Sequence, residues 1–357
     1  MTYRLALRPG APALSHAQRA LLTIEGERIA DVEYRPEPGA SSPFVAVERK
    51  GLERMLEAAA RLCPNCGQAH ALALCQAVEA LASIEVPARA AWLRVAAAEL
   101  ERAASHLRTL AAIFATLGLG PLAATFAHHG DAARHALAEL RGNQDGWLLP
   151  GGVGQDLSAA GREALRLGAS EIRAQLFPIA ERTITRRPIL ARTLDVGTIG
   201  ASAATQFGLG GPMARAAGLA RDARIDTPYA AYAELAPTPA VQEGGDVYAR
   251  ILVLLLEALE SLRLVERAAT ELPDGSWRGR LPESLPAATT AATVEAPRGP
   301  LTYEVESDGH RLVGVRARPA PQLDRLLART VLAGATLDDA PMIIVSTDPC
   351  DTCLAVA

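Results

Sequence analysis

The chain has 357 residues, is 49% hydrophobic and 21% charged, and carries a formal net charge of −4. That is ample apolar material for a large core, and so mild a charge leaves no electrostatic footprint for nucleic acid. Lys50 stands alone among arginines, a compositional bias rather than a basic patch. Five cysteines, Cys63, Cys66, Cys75, Cys350 and Cys353, form two close pairs and one single. The odd number and the pairing fit metal binding in a reducing compartment better than disulfides. The N-terminus shows no apolar signal stretch, and the apolar run at residues 251–256 is too short to span a bilayer. The chain therefore reads as soluble and cytoplasmic, with any membrane link made through a partner.

Residues 1–47 read as strands and turns, with a hairpin around Gly26 and a Pro/Gly/Ser-rich loop at 35–43. The pattern turns helical over 48–82, and Pro64 forces a break there. Such a break presents Cys63 and Cys66 at a helix N-terminus, where thiols ionise more readily. Val86-Pro87 opens a long amphipathic helix in which Leu93, Leu100, Leu107 and Phe114 recur at sevens and Gly118 ends it. Helices follow over 121–140 and 158–184, separated by a loop at 142–154. Residues 186–212 form a long Gly/Thr-rich connection, which hints at function. Residues 247–269, apolar all round in the middle, predict a buried central helix. A Pro-rich loop over 271–293 leads to a hairpin around Ser307-Asp308-Gly309, and a helix over 321–332 precedes an apolar strand, Met342-Ile343-Ile344-Val345. The expected architecture is mainly α (α+β): a long-helix bundle with small N-terminal and C-terminal β elements. It forms a single large domain of a β region at 1–47, a helical core at 48–290 and a β/α segment at 291–357.

Two Cys-x-x-Cys pairs, Cys63/Cys66 and Cys350/Cys353, can hold one metal tetrahedrally. Structural zinc is one reading. The distance between the pairs in sequence weighs against a compact zinc knuckle, and soft thiolates equally suit nickel and iron. Cys75, in an Ala/Leu-rich helix, reads as a core residue. His70, one helical turn after Cys66, is placed to hydrogen-bond a metal-bound sulfur. Arg298, set between Pro297 and Gly299, is held in one shape and aimed at something anionic.

The motifs resemble the large subunits of nickel–iron hydrogenases and the related quinone-site subunit of respiratory complex I. Arg61-x-Cys63-x-x-Cys66-x-x-x-His70 resembles the first metal motif, and Asp348-Pro349-Cys350-x-x-Cys353 the second. Between them, Glu99-Leu100-Glu101-Arg102-Ala103-Ala104-Ser105-His106-Leu107, Asp222-x-Arg224, Gly245-Asp246-Val247-Tyr248-x-Arg250 and Glu295-Ala296-Pro297-Arg298-Gly299 are similar to the energy-converting branch. The resemblance implies that Cys63, Cys66, Cys350 and Cys353 bind a nickel–iron centre whose iron carries cyanide and carbon monoxide. It implies Cys66 and Cys353 as bridging ligands, Arg298 and His70 beside the cofactor, and Cys350 as a proton-accepting thiolate in reversible H2 cleavage. Implied partners are an iron–sulfur small subunit, membrane subunits of an energy-converting complex and hydrogenase maturation proteins. The chain departs from the family pattern at Ala60, Pro64 and Val356, and Arg49 stands where a His is usual. A non-catalytic maturation scaffold carrying the iron fragment, and a metal-free complex-I-like coupling subunit, are the alternative readings.

Overall fold

The computed structural model describes residues 2–7, 18–36, 51–282, 284–321 and 323–350. More than half of the chain is helical, with small antiparallel sheets, as the sequence predicts. A three-stranded sheet, β1 (Thr2–Leu7), β2 (Gln18–Glu25) and β3 (Arg28–Pro36), opens the chain. Its hairpin turns at Gly26, whose φ of 64° suits glycine. Helices α1 (Leu52–Leu62) and α2 (Gly67–Ala82) follow, interrupted at Pro64. Next come α3 (Ala88–Thr116) and α4 (Gly120–Leu140), then the two-residue strands β4 (Leu148–Leu149) and β5 (Gly152–Val153), then α5 (Ala159–Ile184).

Helix α3 is the axis of the molecule, and here the structure departs from the sequence reading. Leu93, Leu100, Leu107 and Phe114 are buried as expected, but so are Arg94, Glu101, Arg102 and Ser105 on the other faces. The helix is therefore enclosed rather than amphipathic, because α4 and α11 (Val247–Thr270) pack along its length and its charged groups find internal partners. Arg94 forks onto Glu79 of α2 at 2.6 and 3.0 Å and reaches the carbonyls of Leu149 and Gly152. The connection over 186–212 also holds more structure than expected, two short helices, α6 (Arg187–Thr193) and α7 (Ala201–Gln206).

A second departure lies at the C-terminal end. Residues 342–345 form no strand; they belong to helix α13 (Ala340–Ser346). A short apolar Ile/Val run cannot be told from a buried helix by periodicity. Pro341 in the first turn and the packing of this segment against α3 and α11 decide for helix. Before it stand α8 (Gly211–Ala216), α9 (Ala223–Asp226), α10 (Tyr232–Leu235), the meander β6 (Thr289–Ala296), β7 (Gly299–Ser307) and β8 (Leu312–Arg318), and α12 (Arg325–Leu332). Strand β6 begins inside the region read as loop.

A buried ionic cluster ties α3, α11, β6 and the segment around α8 and α9 together. Arg215 bridges Glu257 (2.5 Å) and Glu295 (2.8 Å), while Arg224 joins Asp222 (2.6 Å) to Glu99 (3.1 Å). Tyr232 and Ser261 donate to the same Glu99 carboxylate, and His106 meets Glu257 at 2.9 Å. Burial opposes ionisation of Glu99, yet the Arg224 and Arg102 guanidiniums hold its pKa below the ordinary carboxylate value. Arg102 donates to the carbonyl of Ala296 and to that of Glu295, which fixes the end of β6. Breaking such a pair strands a buried charge. Arg224→Met is expected to lower stability by about 3–5 kcal/mol, read as a fall in the thermal unfolding midpoint. Surface-pair variants such as Arg166→Met are expected to cost under about 1 kcal/mol.

Candidate metal centre

Three thiols from opposite ends of the chain meet in the core. Cys63 follows α1, Cys66 caps the N-terminus of α2, and Cys350 follows α13. The Sγ atoms of Cys63 and Cys350, 287 residues apart, lie 3.6 Å from each other. All three sulfurs lie within 4.8 Å of one another, and all three residues are buried. Cys353 lies outside the described residues. Among the described residues this is the one group of three or more metal-ligating side chains so close together.

The local backbone explains how Cys66 reaches this point. The chain turns sharply from α1 into α2, so that a Cβ on Gly67 would lie 2.0 Å from the Ala60 carbonyl oxygen. Only glycine permits that approach. At the other end, Asp348 adopts a φ of 48°, turning the chain out of α13 and into Pro349 and Cys350. Aspartate is among the residues that tolerate this region.

Arg298 ties the two ends together. It sits in the two-residue turn between β6 and β7, where Ala296 pairs with Gly299. Gly299 has a φ of 121°, and its bare Cα lets the Gly210-Gly211 backbone close over the turn. The Arg298 guanidinium donates from Nε to the Asp348 carbonyl (2.8 Å) and from Nη2 to the Asp348 carboxylate (2.9 Å). Its Nη1 lies 3.9 Å from the Cys66 sulfur. Burial opposes the charge, but Asp348 and the three thiols hold the Arg298 pKa well above its ordinary value. The anionic groups that this arginine faces are Asp348 and the thiol cluster.

His70 reaches the C-terminal sheet. Its Nδ1 lies 2.8 Å from the Tyr303 hydroxyl of β7. Burial and, more weakly, Arg298 lower its pKa to about 4 against the pull of Cys350. The imidazole is neutral at neutral pH and links α2 to the C-terminal sheet. Cys75 is fully buried beside Arg94 and Glu79, and burial pushes its thiol pKa up, so it is a core residue. The contacts of Tyr303 and Asp348 have no local sequence signal: no short motif predicts a tyrosine hydroxyl reaching a residue 233 positions away.

The donor set suits a soft metal. The thiol groups of Cys63, Cys66 and Cys350 converge, and the Arg298 cation lies beside them. A buried cluster of thiolates without a cation or metal would be a costly arrangement.

The fold and this cluster point to a class of oxidoreductase large subunits. Residues 136–284 match the model of the respiratory-chain NADH dehydrogenase 49 Kd subunit. The chain is 29% identical to the carbon monoxide-induced hydrogenase of Rhodospirillum rubrum over 99% of both proteins. It is 31% identical to a subunit of the NADH-quinone oxidoreductase of Salinispora arenicola, over 96% of this chain and 91% of that one. In fold it superposes on a chain of the membrane-bound sulfane sulfur reductase, an archaeal respiratory membrane complex, with a TM-score of 0.88 and 24% identity, covering 98% and 97% of the two chains. The chain belongs to the NADH dehydrogenase 49 kDa-subunit family, whose matched members include membrane-bound hydrogenase subunits. Among the described residues, no helix is long and apolar enough to cross a membrane.

Gly67→Ala is expected to push Cys66 away from Cys63 and Cys350. The folded variant should expose Cys66 to a thiol-alkylating reagent faster than the parent, as measured by peptide mass analysis.

Proposed function

We propose that this chain is the large subunit of an energy-converting nickel–iron hydrogenase, with Cys63, Cys66, Cys350 and Cys353 as the ligands of its centre. The single observation that carries the reading is the convergence of Cys63, Cys66 and Cys350 beside the Arg298 cation. A complex-I-like coupling subunit has no use for such a cluster. When bound, a nickel–iron centre supplies Lewis acidity and an electron sink for reversible cleavage of H2 into two protons and two electrons.

The protein's own share is positioning and charge. Arg298 holds positive charge against the thiol cluster and clamps the Asp348 segment that carries Cys350. Cys350, at the end of that segment, would hold the centre through its Sγ and would take up a proton there. The enclosing core keeps water from the cluster; Cys63, Cys66 and Cys350 are each at most 2% exposed. Electrons leave through an iron–sulfur small subunit. Membrane subunits anchor the complex at the cytoplasmic face, a reading supported by the membrane-complex setting of the structural relative.

Metal analysis and infrared spectroscopy of the anaerobically purified complex test the proposal. Nickel and iron together, cyanide and carbonyl stretching bands, and H2-dependent dye reduction are expected. Iron with those bands but no nickel would instead identify a maturation scaffold. Absence of both metals would identify the complex-I-like coupling subunit, a reading that the match to the NADH-quinone oxidoreductase relative favours.

A further inference from the structure

The buried ionic network holds more carboxyl groups than cations. Arg102, Arg215 and Arg224 stand against Glu99, Asp222, Glu257 and Glu295, and none of these is more than 3% exposed. Among the described residues, no other arginine or lysine lies within ion-pair distance of these carboxyl groups. The one further basic side chain in contact is His106. An unbalanced charge in a core is costly, so one of these sites holds a proton.

The hydrogen bonds show which one. His106 turns Nε2 to Glu257 at 2.9 Å, while its buried Nδ1 meets no partner among the described residues. An imidazolium would leave a buried N–H there with nothing to receive it, so the ring is neutral and its one N–H faces Glu257. Burial also lowers the His106 pKa, against the pull of Glu257. Glu99 accepts from Tyr232 (2.5 Å), Ser261 (2.6 Å) and Arg224 (3.1 Å). Asp222 accepts the Arg224 fork at 2.6 and 2.9 Å. Glu257 accepts two Arg215 nitrogens, at 2.5 and 3.2 Å, besides His106. Glu295 has the poorest set: Arg215 Nη1 at 2.8 Å on one oxygen and only the Ala223 backbone N–H, at 3.1 Å, on the other. That same Nη1 lies 3.4 Å from Asp222. Two carboxyl groups thus share one guanidinium nitrogen, an arrangement in which one of the pair takes up a proton. Asp222 keeps its charge through Arg224, which leaves Glu295.

We propose that Glu295 is a proton-binding site of the core, a carboxylic acid while the network is neutral and a carboxylate that leaves one buried charge unbalanced when it ionises. The step exchanges one proton with water and moves no electrons. The Glu295 N–H donates to the Tyr229 hydroxyl (2.9 Å) and its carbonyl accepts from Arg102, three residues before Arg298. The pH-dependent charge therefore stands directly behind the turn that carries Arg298. The charged groups acting on Glu295 are Arg215 of α8, Asp222 at the start of α9 and Arg102 of α3. Glu99 of α3 and Glu257 of α11 join it through Arg224, Asp222 and Arg215. On α2, which packs against β6, His70 meets Tyr303, and Glu79 and Cys75 lie beside Arg94. On β7, Glu304 is paired with Arg316 and Arg318, and Glu306 lies at the far end of β6, opposite Thr289. Burial above all, and then Asp222, raise the Glu295 pKa against Arg215 and Arg102.

Infrared difference spectra of the purified full chain, titrated with acid and base beside Glu295→Gln, test this. The parent is expected to show a protonated-carboxyl band that fades as pH rises, and the variant to lack it. The folded chain keeps a proton that the unfolded chain releases above the ordinary carboxyl value. The parent's thermal midpoint should therefore fall as pH rises from about 5 to about 8, and that of Glu295→Gln should fall less. A parent without such a band, or a variant that keeps every carboxyl band of the parent, overturns the proposal. So does a midpoint that follows the same pH course in both. If Glu295→Gln does not fold, Glu295→Asp decides. That change draws the carboxyl group back from Arg215 and should shift the pH at which the band fades; an unshifted fading overturns the assignment to Glu295.

Discussion

The contact between Arg298 and Asp348 is the constraint on which the site depends. One cysteine pair lies near the start of the chain and the other at its end, so nothing local holds them together. Arg298 supplies the link from a third place, a tight turn between two strands. Its fork geometry fixes both the carbonyl and the carboxylate of Asp348, and its remaining amino group reaches the Cys66 sulfur. A lysine at this position could supply the charge but not the fork. The turn is itself fixed from behind, because Arg102 holds the carbonyls of Glu295 and Ala296. The cluster of thiols is therefore seated on the buried ionic network rather than beside it.

That network explains why so many charges lie in the core. A core built from Ala and Leu would bury more cheaply, since paired ions rarely repay their desolvation. Here the ions do positional work: they lock α3, α11 and the end of β6 in one register, so that Arg298 and Cys66 meet. Glu101 stands apart from the network. It is buried, and among the described residues its oxygens accept the backbone N–H groups of Gln68 and Ala69 rather than pairing with an arginine.

Much of this is legible in the sequence where the signal is local. Pro64 marks the break between α1 and α2, the heptad-spaced leucines mark α3, and the Ser307-Asp308-Gly309 turn marks β7 and β8. Of the two Cys-x-x-Cys pairs, Cys63, Cys66 and Cys350 come together in the core, and Cys353 lies outside the described residues. What is not legible depends on partners far away in sequence. The Met342–Val345 run carries the same residue types in a buried helix as in a buried strand, and only its packing against α3 and α11 decides. The polar face of α3 looks like a solvated face until Glu79, Arg224 and the α2 N-terminus are brought to it. The spacing of His70 puts it one helical turn from Cys66, but its Tyr303 contact comes from β7, a strand whose position no local pattern reveals.

The central claim is that thiols from both ends of the chain share one metal. X-ray absorption at the nickel edge of the anaerobically purified complex, compared with Cys63→Ser and Cys350→Ser, tests it most directly. The account predicts a sulfur-dominated first shell around nickel that loses sulfur in either variant. Zinc in place of nickel, or a nickel shell of nitrogen and oxygen indifferent to both substitutions, would contradict it.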